Sequence, residues 1–208
     1  ALSSESVEAT WNALKEAKHP RLQVVASVSP VQMEYLFHKK PDAMLKAVEE
    51  TVTACSAKTS DVEFIAEESI EKATREADAI ITVSRAMQPM IMKEWVKPGT
   101  HLSCLGSDME GKQELDPNVL VGAKIYTDDK KQCIRVGEIE LALKAGIITE
   151  DAIVGEFGDL LSGNVVGREN DQEITMFDAT GLYILDLVAA KVAITKAKEA
   201  GMGLEVEM

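Results

Sequence analysis

The stretch "THLSCLGSDMEGKQEL", residues 100–115, decides the fold. Its first half is a short apolar run typical of a buried strand, and its second half is a polar loop with two glycines. Other short apolar runs with the same strand pattern recur along the chain. They are "RLQVVASVS" (21–29), "DVEFIAE" (61–67), "AIITVS" (79–84), "AKIYTDD" (123–129) and "EITMFD" (173–178).

Segments with helical spacing of apolar residues separate these runs. They are residues 7–18, 41–58, 68–78, 136–148, 151–163 and 181–201. Strands that alternate with helices of this length predict an α/β fold: a doubly wound, mainly parallel sheet of five to six strands. We expect a Rossmann- or flavodoxin-like sheet, order 2-1-3-4-5, followed by a long C-terminal helix.

Composition narrows the classes of function. The chain has 208 residues and a formal net charge of −13, which disfavours binding to nucleic acid or to an anionic membrane surface. Its three cysteines are far apart, and its three histidines show no metal-ligand spacing, so we predict reduced thiols and no metal site. No run is long and apolar enough to span a bilayer, and the first residues do not resemble a signal peptide. We therefore expect a cytoplasmic protein.

The sequence leaves open both the kind of loop at residues 106–115 and the role of its aspartate, Asp108. Gly106, Gly111 and Lys112 approach the spacing of a triphosphate-binding loop, but Gln113 replaces the hydroxyl residue that holds magnesium. The simpler interpretation is a strand-to-helix loop in which glycines allow tight turns. Asp108 follows the strand directly, where ligands bind in doubly wound sheets. This carboxylate is a general base, a ligand contact or, as the frequency of Asp at N-caps favours, a helix N-cap.

The second part of the chain resembles the ornithine cyclodeaminase/mu-crystallin family. The similar segments are "EADAIITVS", "EWVKPGTHLSCLGSDMEGKQELDP", "AKIYTDD", "VGEIELALKAGII" and "EITMFDATGLYILDLVAAKVA". They occur in the family's order from about residue 62 to the C-terminus. The resemblance implies an NAD(P)-dependent enzyme that oxidises amino acids or reduces imines by hydride transfer at the α-carbon.

The same resemblance assigns roles to individual residues. Asp108 is implied as the catalytic acid/base. The residues implied to border the dinucleotide are Thr82, Ser84, Arg85, Asp178, Thr180 and Gly181. The family usually has serine where this chain has Ala179. The family's G-x-G-x-x-G dinucleotide loop is also missing from the sequence, and so is its N-terminal substrate lobe.

Residues 1–68 are similar to a different family, 2-isopropylmalate synthase, a TIM barrel that condenses acetyl-CoA with a keto acid at a divalent metal. The segments "SPVQMEY" and "DVEF" carry this resemblance. It covers one helix and one β-α-β unit of a barrel. We accordingly divide the chain into a barrel-derived unit, residues 1–68, and a Rossmann-like half of a cyclodeaminase-type domain, residues 69–208, together forming one folded unit.

These resemblances lead to three hypotheses about function. The first is an engineered chimera with no complete active site, no catalysis, and no cofactor beyond weak dinucleotide binding. The alternative is an NAD(P)-dependent oxidoreductase of the cyclodeaminase or imine reductase type that uses Asp108. The third is a binding module with an anion site at the strand ends. The last helix is apolar on more than one face, so we also expect it either to fold back onto the sheet or to pair with a second copy in a homodimer.

Overall fold

The computed structural model describes residues 63–67 and 69–202, together with scattered positions between 46 and 57. The predicted helix at 7–18 and the predicted strand at 21–29 lie outside the described residues. Within the described ranges, none of the helices combines the length and the apolar character that crossing a bilayer requires.

The described chain alternates short strands and helices. The strands are β1 (Ala79–Thr82), β2 (His101–Cys104), β3 (Lys124–Thr127), β4 (Ile153–Glu156) and β5 (Thr175–Asp178). The α-helices are α1 (Ile70–Glu76), α2 (Lys130–Val136), α3 (Glu140–Lys144), α4 (Phe157–Leu161) and α5 (Tyr183–Glu199). Short 3₁₀ helices occur at Lys93–Trp95, Pro117–Leu120 and Glu150–Ala152.

Local capping explains where several of these helices begin. The Ser69 side chain accepts a hydrogen bond from the Lys72 N–H at the start of α1. The Asp129 side chain accepts one from the Gln132 N–H at the start of α2. Each side-chain oxygen satisfies a backbone donor that has no partner inside the helix, and so fixes the first turn.

The five strands form one parallel sheet in the order β1-β2-β5-β3-β4. Their last residues are in register across the sheet, so the carboxyl ends of all five strands form one edge. This row consists of Thr82, Cys104, Asp178, Thr127 and Glu156. The predicted fold class, a parallel α/β sheet of the Rossmann type with a long C-terminal helix, is confirmed.

The structure differs from the sequence-based expectation in three details. Residues 63–67 of the predicted strand "DVEFIAE" have no strand structure. Residues 153–156, predicted as helical, form β4 because they pair with β3. The predicted order placed the strands at 101–104 and 124–127 side by side, whereas β5 lies between them. Pairing between distant segments decides all three details, and no local pattern encodes it.

The core lies around this sheet. Buried apolar side chains from the strands, including Ile80, Leu102, Ile125 and Met176, pack with Ile139 at the start of α3. Buried strands of this kind are typical of a parallel sheet that is covered by helices. Helix α5 is different, since none of its residues is buried within the described structure.

Candidate functional site

The carboxyl edge of the sheet brings three loops together. The Leu105 N–H donates to the Thr82 carbonyl at 2.8 Å, and the Ala179 N–H donates to the Cys104 carbonyl at 3.0 Å. The chain therefore leaves β1, β2 and β5 at adjacent points. In open parallel sheets, this edge is where ligands bind.

Asp108 lies on the loop that follows β2 and forms an ion pair with Lys112. The Lys112 Nζ lies 2.5 Å from Asp108 Oδ1 and 2.9 Å from the Gly106 carbonyl oxygen. The Lys112 side chain is only 9% exposed, whereas that of Asp108 is 55% exposed. These two contacts hold the buried lysine in place, while the exposed part of the Asp108 carboxylate is accessible to a ligand.

The alternative role of Asp108 as a helix N-cap is wrong. No helix begins at residue 109; the chain forms a turn there and next enters the 3₁₀ helix Pro117–Leu120, whose N-cap is Asp116. The turn contains Gly111 at a φ of 81°, a backbone conformation that L side chains rarely adopt. The loop therefore returns on itself, which brings Lys112 back to Asp108.

A buried carboxylate, Glu114, connects the loop after β2 to the loop after β1. Its side chain accepts hydrogen bonds from the Thr82 hydroxyl (2.6 Å), the Ser84 N–H (2.6 Å) and the Gly106 N–H (3.1 Å). A Cβ on Gly106 would overlap this carboxylate, so the close approach requires glycine. Glu114 thus fixes the geometry of both loops through donors that carry no formal charge.

Two further buried carboxylates at this edge, Glu138 and Asp178, also accept hydrogen bonds from uncharged donors. Glu138 accepts from the Ser107 hydroxyl and from the N–H groups of Glu114 and Leu115. Asp178 accepts from the N–H groups of Glu138 and Ile139, each at 3.2 Å. Burial raises the pKa of Glu138 to about 8 and that of Asp178 to about 7, although these hydrogen bonds oppose the shift.

The implied cofactor residues divide into two groups in the structure. The side chains of Thr82 and Asp178 are buried and bonded within the protein, and Ser84 is buried, with its N–H bonded to Glu114. By contrast, Arg85 and Gly181 are exposed, and Thr180 is partly exposed.

The turn that contains Thr180 and Gly181 is fixed by the neighbouring loop after β3. The Gly181 N–H donates to Asp128 Oδ2 at 2.7 Å, and the Gln132 side-chain amide donates to the Thr180 hydroxyl at 2.9 Å. Because both partners follow β3, they hold the turn after β5 at the carboxyl edge.

The sequence did not identify three of the acidic residues that organise this edge. They are Glu114, Glu138 and Glu140, and each is at most 1% exposed. Glutamate is rarely buried, so a sequence pattern assigns it to the surface. The only local signal is the position of Glu138 and Glu140 around the apolar Ile139 in "GEIE", directly after a glycine.

Among the described residues, no group of three or more His, Cys, Asp or Glu side chains is arranged to hold a metal ion. The buried carboxylates instead accept hydrogen bonds from N–H and hydroxyl donors.

Several enzymes are similar to this chain. An iminosuccinate reductase from Paracoccus denitrificans is 40% identical over 139 residues, which are 67% of this chain and 43% of that protein. The structure of an archaeal alanine dehydrogenase dimer with bound NAD superposes with a TM-score of 0.72 at 36% identity. That of a Thermococcus litoralis Δ1-pyrroline-2-carboxylate reductase with NADH and L-proline superposes with a TM-score of 0.72 at 32% identity. These matches cover 78% and 77% of this chain and 50% of each enzyme, so the chain spans about half the length of its relatives.

The interpretation of the chain as an engineered chimera without an active site is wrong. Its relatives are reductases and dehydrogenases, and the sequence model of one family matches residues 25–201. This range crosses residue 68 and includes most of the segment assigned to isopropylmalate synthase, a resemblance that the match does not support. The domain boundary at residue 68 itself stays a prediction. The chain belongs to the ornithine cyclodeaminase/mu-crystallin family.

Proposed function

We propose that this chain belongs to an NAD(P)-dependent oxidoreductase that acts on the carbon–nitrogen bond of 2-imino or 2-amino acids. The observation that carries the proposal is the Asp108–Lys112 pair, which the loop after β2 presents at the carboxyl edge. The substrates after which the relatives are named support the substrate class, since iminosuccinate, alanine and pyrroline-2-carboxylate all have nitrogen on the carbon next to a carboxylate.

In this proposal Asp108 is the acid/base. During reduction, the carbon–nitrogen π bond of the imine breaks, a C–H bond forms by hydride transfer, and an N–H bond forms by proton transfer from Asp108. During oxidation, the ionised Asp108 accepts a proton from the amino nitrogen. Lys112 stabilises the ionised carboxylate and restricts its rotation, because its Nζ is also bonded to the Gly106 carbonyl oxygen.

The described residues fit the reacting end of a dinucleotide. When bound, the nicotinamide would supply or accept the hydride. The accessible candidates for contact with the dinucleotide are Arg85, Thr180 and Gly181. The buried residues would instead hold the surrounding loops in position through hydrogen bonds within the protein; they are Thr82, Ser84 and Asp178. No G-x-G-x-x-G loop occurs among residues 1–208.

Calorimetric titration of the full chain with NADH and NADPH, followed by reduction of Δ1-pyrroline-2-carboxylate, tests this function. We expect saturable binding and consumption of NADH. Replacement Asp108→Asn should lower turnover by about 10²–10⁴-fold with little change in NADH affinity. Glu110→Gln is the matched control, because Glu110 is also exposed and also paired with a lysine, Lys144. The absence of binding at about 1 mM cofactor, or full activity of Asp108→Asn, would contradict the proposal.

We also propose that a second copy of the chain covers helix α5. The exposed apolar residues of this helix are Tyr183, Ile184, Leu185, Leu187, Val188, Val192 and Ile194. A helix that is apolar on several faces is normally buried, and the similar alanine dehydrogenase is described as a dimer.

Size-exclusion chromatography with light scattering tests this proposal. We expect a dimer for the unmodified chain and a monomer for Leu187→Glu, with unchanged circular dichroism. A monomer at all concentrations of the unmodified chain would overturn the proposal and indicate that the helix packs against its own chain.

A further inference from the structure

The side chain of Glu138 closes the loop that contains Asp108. It accepts from the Ser107 hydroxyl at 2.5 Å, before Asp108 in sequence, and from the Leu115 N–H at 2.6 Å, after Lys112. The Glu114 N–H donates to both of its oxygens, at 2.8 and 3.0 Å. Residues 108–113, which include the whole Asp108–Lys112 pair, therefore lie between two points that one carboxylate connects.

Glu138 is itself fixed by the sheet. Its N–H donates to Asp178, the last residue of β5, and the chain approaches Asp178 so closely at Gly137 that a Cβ there would overlap the carboxylate. Hydrogen bonds therefore connect the end of the central strand to Glu138 and then to both ends of the loop. This connection sets the position of the loop relative to the turn with Thr180 and Gly181.

Two neighbouring glutamates act on other parts of the same loop. Glu114 holds Gly106 from inside the loop, and Glu140 accepts from the Gly111 N–H at 2.8 Å. Of these three glutamates, Glu138 is the one that lies outside the loop and whose carboxylate joins residues on both sides of Asp108. Among the residues that the structure describes, its bonded donors are one hydroxyl and two N–H groups, none of them cationic.

We propose that Glu138 is a positioning residue, whose ionisation state sets the position of the Asp108–Lys112 pair at the carboxyl edge of the sheet. This inference rests on the proposed function, because it explains how that function's acid/base is presented. Ionised Glu138 accepts from Ser107, Glu114 and Leu115 together. Neutral Glu138 instead donates its proton to the Ser107 oxygen, which reverses one of the two bonds that close the loop.

The titration of Glu138 falls in the range in which such an effect is measurable, because burial raises its pKa to about 8. Other titratable groups face it: Glu114 and Asp178 lie on the elements packed against it, and Asp128 lies beyond Asp178. The charge of Glu114 also favours the neutral form of Glu138, and the buried Cys104 thiol faces the same carboxyl group.

The test compares Glu138→Gln and Glu138→Ala with the unmodified chain by NMR between about pH 6 and pH 9.5. The amide signals of Glu114 and Leu115 report the hydrogen bonds, and the side-chain signal of Lys112 reports the ion pair. In the unmodified chain, we expect all three signals to move with one midpoint near pH 8. Glutamine should abolish this midpoint and keep the loop closed, because its amide group donates to Ser107 as neutral glutamate does.

Turnover gives the second measurement. We expect Glu138→Gln to keep NADH affinity within about twofold and to lose the inflection of kcat near pH 8, and Glu138→Ala to lose at least about tenfold in kcat at every pH. Glu150→Gln is the control for the loss of a glutamate charge. Glu150 is exposed, and its carboxylate forms a long ion pair with Lys130, with 3.8 Å between Oε2 and Nζ. We expect it to retain the unmodified pH profile.

The outcomes separate the two proposals. A Lys112 signal that does not titrate while the Leu115 amide does would show that Glu138 only stabilises the fold, and would overturn the inference. An unchanged pH profile of kcat in Glu138→Gln would also overturn it. If the unmodified chain does not reduce the imine but Lys112 still titrates with Glu138, the proposed function fails and the positioning role is supported.

Discussion

Three buried acidic residues at the carboxyl edge of the sheet have partners that differ in kind from those of the acidic residues at the amino edge. At the amino edge, Lys124 forms ion pairs with the carboxylates of Glu169 and Glu173, and the Glu169 side chain is 61% exposed. At the carboxyl edge, Glu114, Glu138 and Asp178 are at most 1% exposed, and among the described residues their hydrogen-bond donors are N–H, hydroxyl and thiol groups rather than cations. Exposed ion pairs contribute little to stability, whereas burying a carboxylate costs free energy unless the carboxylate is hydrogen-bonded.

This difference indicates that the carboxyl edge is the edge with a specialised arrangement of acidic residues. The buried carboxylates at the carboxyl edge fix the loops after β1, β2 and β5 in one arrangement, at a cost that stability alone does not require. The edge that bears this cost also presents the Asp108–Lys112 pair.

Among the substitutions that test the difference between the two edges, removal of Glu114 should lower stability most. Glu114→Ala leaves the Thr82 hydroxyl and the Ser84 and Gly106 N–H groups without their acceptor. We expect the free energy of unfolding to fall by about 3–5 kcal/mol in urea titrations. Glu114→Gln keeps one acceptor oxygen and should recover part of this loss. A change below about 1 kcal/mol in Glu114→Ala would show that these donors find other partners.

The pH dependence of stability should reflect the carboxyl edge. Glu138 and Asp178 have ordinary pKa values of 4.5 and 3.8, which burial raises to about 8 and about 7. Both groups therefore bind protons more tightly in the folded state. The stability they contribute is fully present below the unfolded pKa values and is lost as pH rises through the folded ones.

Urea titrations between about pH 5 and pH 8 measure this loss. We expect unfolding free energy to decrease by up to about 1 kcal/mol per pH unit for each group, and Glu138→Gln to remove its share of the slope. Stability that rises with pH over this range would contradict the assignment of raised pKa values to the two buried carboxyls.

Crowding the contact between Gly137 and Asp178 should have a smaller effect. In Gly137→Ala, the added Cβ would lie 2.8 Å from the Cα and carbonyl oxygen of Cys133 and would overlap the Asp178 carboxylate. We expect a loss of about 1–3 kcal/mol, measured by urea unfolding. Gly158→Ala is the matched control: nothing lies within 4 Å of its Cβ position, so its stability should be unchanged or slightly higher. Equal effects of the two substitutions would argue against close packing at Gly137.

Removal of a carboxylate at the amino edge should have the smallest effect. Glu169→Ala deletes a partner of Lys124, but Glu173 remains 3.2 Å from the same ammonium group. We expect unfolding free energy to change by less than about 0.5 kcal/mol. A loss comparable with that of Glu114→Ala would erase the proposed difference between the two edges.

The sequence predicted the parts of the fold that depend on local patterns. The apolar runs that became β1, β2, β3 and β5 were recognised, as was the long helix α5. Strand β4 was missed because Gly155 interrupts a four-residue segment whose extended form depends on pairing with β3. The central position of β5 was also missed, since it depends on contacts between residues about 50–75 positions apart.

The candidate site was predictable to a similar degree. Asp108 was identified from its place after a strand and from family resemblance, and the structure places its exposed carboxylate in an ion pair with the buried Lys112 at the expected edge. Asp178 was implied as a cofactor contact, yet its carboxylate faces the N–H groups of Glu138 and Ile139. Whether an acidic side chain points outward or inward depends on backbone donors from other segments, which a sequence pattern does not show.

The central position of β5 has a consequence for synthesis of the protein. β1 and β2 leave the ribosome well before β5, and so do β3 and β4, but neither pair contacts the other until residues 175–178 insert between them. A nascent chain that ends before β5 therefore contains two separate parallel ribbons with unpaired edges. The described sheet, and with it the carboxyl edge that bears Asp108, is therefore complete only after residues 175–178 have been translated.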